Sequence, residues 1–190
     1  MLLLWDMRTL KNQILISSPG LTDSFFSKSV IYICEHSENG AMGLIINKKL
    51  GENKLYKILL DPFKENISAE LLNNKIFFGG PVLLENGIVL HDSSYKSDQS
   101  ISISESISIT SNQKTLEYLL NKNDTPFKIM LGHSGWSKGQ LEAEIEEGDW
   151  LLQDTITDFV FNVPPEQMWE QALAYLGLDP IILFDVIGKA

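Results

Sequence analysis

A chain of 190 residues with a formal charge of −10 and a single arginine, Arg8, is poorly equipped to grip a nucleic-acid backbone. Such binding rests on Lys and Arg contacts that release counterions from phosphates. One core of this size buries about 70% of the surface an unfolded chain exposes, and the lone Cys34 excludes an internal disulfide framework and points to a reducing compartment.

MLLLWDMR opens with an apolar run that no basic segment precedes and that Asp6 interrupts, so no signal peptide is expected. No apolar stretch approaches the roughly 18 residues of a membrane span, and the expectation is a cytoplasmic chain with no membrane contact.

QILISS (13 to 18) reads as a first strand, broken by Pro19 and Gly20. SVIYICEH follows, and strand alternation puts Val30, Tyr32, Cys34 and His36 on one face and Ile31, Ile33 and Glu35 on the other. Asn39-Gly40 then leads into AMGLIIN as a hairpin, in which turn positions need positive φ and Ser37 and Glu38 extend the connection. Helical segments are predicted over about 53 to 60, ending before Pro62, and over 68 to 73.

NKIFFGGPV is a strand with a tight Gly79-Gly80-Pro81 turn, and NGIVLH is its return strand. SISISESISIT alternates strictly and places Ile101, Ile103, Ile107 and Ile109 on one side, together with Glu105. A turn at 104 to 106 relieves the burial of that charge, giving two short strands or one bent one. Residues 112 to 121 read as a helix, FKIML (127 to 131) as a strand and GHSGW as a turn. SKGQLEAEIEEG is a helix with a Ser137–Gln140 capping box, burying Leu141 and Ile145 while its glutamates face water. The last clear helix, in NVPPEQMWEQALAYLGLDP, starts at Pro164-Pro165, ends at Gly177 and buries Trp169, Leu173 and Leu176. With no long linker or repeat, these elements make one α+β domain over residues 1–190, mainly antiparallel, with 1–10 as an N-terminal extension.

The order PGLTDSFFSKSVIYICEHSENGAMGLIINK, FFGGPV with NGIVLH, LGHSGWSKGQLEAEIEEGDW and PPEQMWEQALAYLGLDP resembles the YqgE/AlgH family of small bacterial proteins, from about residue 11 onward. The resemblance implies a forked β-sheet folded into a pseudo-barrel and flanked by helices. It implies no settled reaction or ligand; the family carries the label of transcriptional regulators because one branch is associated with control of alginate synthesis. Lys49 departs from the proline usual after Asn-Lys, and Ser134 stands where the family often has alanine.

Several residues carry candidate chemistry. Cys34 and His36, two apart on one strand, suit a thiol and its base, the arrangement of a cysteine enzyme or redox sensor; the alternative is that Cys34 is a small buried apolar residue. Cys34, His36, His91 and His133 have donor atoms for a metal but no ligand spacing, and neither metal nor cofactor is expected. Ser134 in GHSGW imitates a nucleophile elbow, yet the fifth position is Trp136 where that motif needs glycine. Lys48, Lys49, Lys54 and Lys57 form a basic cluster that lacks arginine and reads as a solvated face.

A further expectation gathers turns into a binding site. Gly132, His133, Ser134, Gly135 and Trp136 open a helix and leave N–H groups that favour an anion. Gly79, Gly80 and Pro81 supply a second backbone wall, and Asn39, Gly40 and Gly43 a third side. Together these readings favour a non-enzymatic binding or regulatory protein that acts through a protein partner or a small anionic ligand, without direct nucleic-acid contact.

Overall fold

The computed structural model describes residues 9–50, 74–95, 97–122 and 124–178. The helices predicted at 53 to 60 and 68 to 73, and Lys54 and Lys57 of the basic cluster, lie outside the described residues.

The strands are β1 (Gln13–Ser17), β2 (Val30–Ser37), β3 (Gly40–Ile45), β4 (Ile76–Phe78), β5 (Val82–Asp92), β6 (Ile101–Ser102), β7 (Ile107–Thr110), β8 (Phe127–Ser137) and β9 (Trp150–Asp154). The helices are α1 (Gln113–Asn121), α2 (Gln140–Glu147), α3 (Thr157–Asn162) and α4 (Pro165–Tyr175). Hydrogen bonding runs β6-β7-β5-β8-β3-β2-β1-β9, and β4 pairs β8 in parallel. Every other strand pairing among the described residues is antiparallel.

The fork in the sheet is β8. Its first half pairs with β4 and β5, and its second half, Ser134–Ser137, leaves them to pair with β3. The change of partner follows His133, and just before it the register against β5 shifts at Gly132, whose φ of +68° is open to glycine and strained for other residues. GHSGW is therefore strand, not the predicted turn. Ladder hydrogen bonds override the local turn signal of its two glycines, and α2 starts only after Gly139.

Alternation on β1 to β3 builds two cores. Ile14, Ile16, Val30, Tyr32, Cys34 and Leu44 pack on one face with Met168, Trp169 and Leu173 of α4. Leu15, Ile31, Ile33 and Ile45 pack on the other with Leu141 of α2, Trp136 and Trp150. Each large apolar side chain sealed this way contributes about 1.5–3 kcal/mol, so covering both faces makes these central strands the stable part of the sheet.

The SISISESISIT segment forms the two short strands expected, β6 and β7, with Glu105 exposed at the bend. Ile103, Ile107 and Ile109 are buried, but Ile101 is 63% exposed, because β6 is a two-residue strand at the end of the sheet. In the β2–β3 hairpin Ser37 pairs with Gly40, so the turn is Glu38-Asn39 and the positive φ falls on Gly40 rather than on Asn39. The predicted capping box at α2 is half made. Gln140 Oε1 accepts the Ser137 N–H at 3.0 Å, but the cap position belongs to Gly139 in a left-handed conformation.

Candidate functional site

The proposed Cys34–His36 dyad is not assembled. Register between β2 and β3 slips between Ile33 and Glu35, a β-bulge that inserts one residue and reverses which face the following side chains take. Cys34 stays in the core with Tyr32 and Leu44, whereas His36 pairs with Ala41, on the face of Ile31 and Ile33. The thiol is 2% exposed and donates to the Tyr32 carbonyl at 3.7 Å; burial pushes its pKa far above that of a free cysteine. His36 Nδ1 accepts the Leu10 N–H at 3.0 Å, which leaves Nε2 to carry the proton toward Glu142 Oε1 at 2.8 Å. Both ring nitrogens are thus committed to structure.

The other histidines do not join them. His91 is fully buried, with Nδ1 at 2.9 Å from the Asp92 carbonyl and Nε2 at 3.0 Å from Ser100 Oγ. His133 pairs with Val82 across β8 and β5, and partial burial lowers its pKa. Among the described residues no group of three or more His, Cys, Asp or Glu side chains converges as metal ligands do.

The glycine segments do meet, but as packed backbone. Gly79 N–H donates to the Leu131 carbonyl at 2.8 Å, and the Gly79 carbonyl accepts from Ile45 N–H at 2.9 Å. A Cβ on Gly80 would lie 2.2 Å from the His133 carbonyl carbon, and one on Gly132 2.4 Å from the Gly80 oxygen. Ser134 is fully buried, its Oγ 3.4 Å from the Gly79 carbonyl, so it is no exposed nucleophile. With His133 paired to β5 and Ser134–Ser137 to β3, the segment is strand and not the helix-opening turn expected to present its N–H groups to an anion.

Other candidate residues surround an open depression of about 180 Å³. Asn39, Gly40 and Trp136 line it with Glu35, Ser37 and Met42, and Gly43 sits behind Trp136, its place for a Cβ 2.6 Å from Ile31 Cγ2. Pro81 and Gly135 are on neither wall. The position of Trp136 is set by Glu144, whose Oε2 accepts both Trp136 Nε1 and Trp150 Nε1 at 2.8 Å, with the two rings edge to face. The glutamates of α2 thus do not all face water, since Glu142 and Glu144 turn inward to His36 and the indoles.

Met42 also lines a larger groove, of about 520 Å³, with Ile88, Ile101 and Ile109 as apolar floor and Gln99, Thr110, Ser111 and Asn112 as polar rim. Sequence reading missed it, because it depends on how the β6–β7 hairpin lies on β5 and β3; the signal was an isoleucine at the exposed end of an alternating run.

An AlgH-like family model matches residues 14–181 of the sequence. The chain belongs to the AlgH-like family. It is 40% identical over 188 residues to a UPF0301 protein of Shewanella frigidimarina, covering 97% of this chain and 100% of the relative. A UPF0301 protein of Buchnera aphidicola is 41% identical over 185 residues, 95% of this chain and 97% of its own. The solution structure of the AlgH protein from Pseudomonas aeruginosa superposes with a TM-score of 0.74 at 32% identity, over 93% of this chain and 94% of that one. The crystal structure of protein DIP2367 from Corynebacterium diphtheriae, at 19% identity and a TM-score of 0.68, covers 86% and 85% and shares the fold. The AlgH-like fold is thus a mostly antiparallel, curled sheet with flanking helices. No described helix is long and apolar enough to cross a membrane.

Proposed function

We propose that this chain is a non-catalytic binding protein that receives an apolar segment of a protein partner in the groove over Met42, Ile88, Ile101 and Ile109. The observation that carries this reading is the groove itself, an open apolar floor with a polar rim, ending at an isoleucine 63% exposed. Contiguous exposed apolar surface bounded by polar groups is the usual mark of a contact site. Met42 joins it to the depression at Asn39, Gly40 and Trp136, so the β2–β3 turn lies along the same surface. A charge of −10 favours a partner with basic residues flanking its apolar segment, and any part in the control of gene expression then runs through that partner rather than through DNA.

A photoreactive phenylalanine derivative at position 101, introduced in the native cell, tests the reading. The expected result is one reproducible protein adduct, lost when Ile88 and Ile109 are replaced by polar residues in a chain that still folds. Absence of a hetero-adduct, together with tight and salt-steep binding of the purified chain to duplex DNA, would overturn it.

A further inference from the structure

Lys128 sits in the middle of β8 within an apolar run and is 4% exposed. One of its three N–H groups reaches the Ile46 carbonyl at 2.9 Å, and its ammonium lies 4.5 Å from the centre of the Phe77 ring. Burying a cation without a counter-charge is costly, and buried lysines are normally paired. Here the charged neighbours have the same sign. Lys75, its ammonium 4.9 Å from the Phe127 ring, and Lys49, on the segment bridged to Phe77, both repel it. Among the described residues no carboxylate forms an ion pair with any of the three lysines.

These lysines border a cavity of about 110 Å³ between β8, the segment before β4 and the start of α4. Asn74 lines it beside Lys75, and Phe161 and Pro165 are also part of its lining. Pro165 is the first residue of the eleven-residue α4, so the positive end of that helix dipole adds to the lysines. Glu166, in the same turn, is exposed and does not line the cavity. An acidic protein thus concentrates positive potential in one small, partly apolar hollow, far in function from a solvated basic face.

We propose that the hollow bounded by Lys49, Lys75 and Lys128 is a binding site for a phosphoryl group, taken either as inorganic phosphate or as the end of a small phosphate monoester. The volume suits one tetrahedral oxyanion. Two negative charges on that ion offset the mutual repulsion of the lysines, and the ammonium of Lys128 has two N–H groups left to donate once Ile46 is satisfied. Phe161 offers an apolar wall to the organic body of a monoester. Because burial and its two lysine neighbours disfavour the charged form of Lys128, binding of a dianion draws a proton onto it. The site is separate from the groove at Ile101, and neither depends on the other.

Calorimetric titration of the full chain with inorganic phosphate and with glycerol phosphate, near neutral pH at fixed ionic strength and in two buffers of different ionisation enthalpy, tests the site. The expected result is saturable binding at one site, with proton uptake, weakened at least about tenfold by K75Q and by K128M, and less by K49Q. Equal affinity for the two probes assigns the site to the free ion, and tighter binding of the ester assigns it to a monoester. Lys75 is half-buried and Lys49 exposed, so K75Q and K49Q report even if K128M fails to fold. No saturable binding of either probe up to tens of millimolar, or binding unchanged in K75Q and K49Q, would overturn the proposal.

Discussion

His36 Nε2 on β2 lies 2.8 Å from Glu142 Oε1 on α2, a contact across 106 residues of chain that ties the central sheet to the helix after β8. Both side chains are largely covered, at 11% and 29% exposure, and Leu10 N–H fixes the ring from the other side. Removing the acceptor leaves a partly buried imidazole N–H unsatisfied. E142A is expected to lower unfolding stability by about 1 kcal/mol, and E142Q, which keeps an acceptor oxygen, by less. Urea unfolding midpoints at unchanged slope check this; equal losses in both variants would mean that the acceptor oxygen is irrelevant.

Glu144 holds two indoles on one carboxylate oxygen, and its other oxygen accepts Gln140 Nε2 at 2.9 Å. E144A leaves both tryptophan N–H groups without this acceptor and is expected to cost about 2–3 kcal/mol, with a red shift of tryptophan emission as water reaches the rings. E144Q offers one oxygen to the indoles but sets an amide against Gln140, for a cost of about 1 kcal/mol. Wild-type emission and stability in E144A would detach Trp136 from α2.

The strands β1 and β2 and the two-faced core were legible because apolar alternation on QILIS and VIYIC, with Pro and Gly between them, obeys local rules. The β6–β7 bend was legible from Glu105, whose charge had no place on an apolar face. GHSGW was not. Its glycines signal a turn locally, and only pairing with β3, beyond reach of a sequence window, makes it a strand. The same holds for β9 and α3, which were not read at all, and for the bulge that parts Cys34 from His36. Lys128 carried a readable signal, a lone cation in FKIML, but its lysine neighbours come from segments near residues 49 and 75.

Glycine in the GHSGW strand and in the facing GGP segment should differ sharply in tolerance. Gly80 has φ +150° and no room for a Cβ beside His133, whereas Gly135 has nothing within 4 Å and no positive φ. G80A is expected to destabilise by about 2 kcal/mol or more, and G135A to stay within about 0.5 kcal/mol of wild type. Thermal melts of the two variants side by side settle it; a costly G135A would point to a contact at that position in an assembly.

Cys34 should behave as core, not as a reagent. With the thiol sealed and its ionisation opposed by burial, native alkylation by iodoacetamide is expected to be slow and nearly flat in pH, and to become fast in denaturant. A native rate that climbs with a midpoint below about 8 would show a thiolate and restore the enzyme or redox-sensor reading.

Lys128 makes stability depend on alkaline pH. Burial first, then Lys75 and Lys49, hold its pKa in the folded chain at about 7, against about 10.4 for an unfolded lysine. Below about pH 7 both states carry the proton and the folded chain bears the full cost of a buried ammonium. Between about 7 and 10 the unfolded chain keeps a proton that the folded chain has released, so stability rises with pH, and above that window the gain is complete. Lys75, lowered by burial, contributes in the same direction and is retained in K128M, so the comparison isolates residue 128. In phosphate-free buffer, wild-type stability relative to K128M is expected to rise by about 3–5 kcal/mol from about pH 6 to pH 10. A flat difference would place the Lys128 ammonium in the ordinary lysine range, with the cost of its burial met by another group.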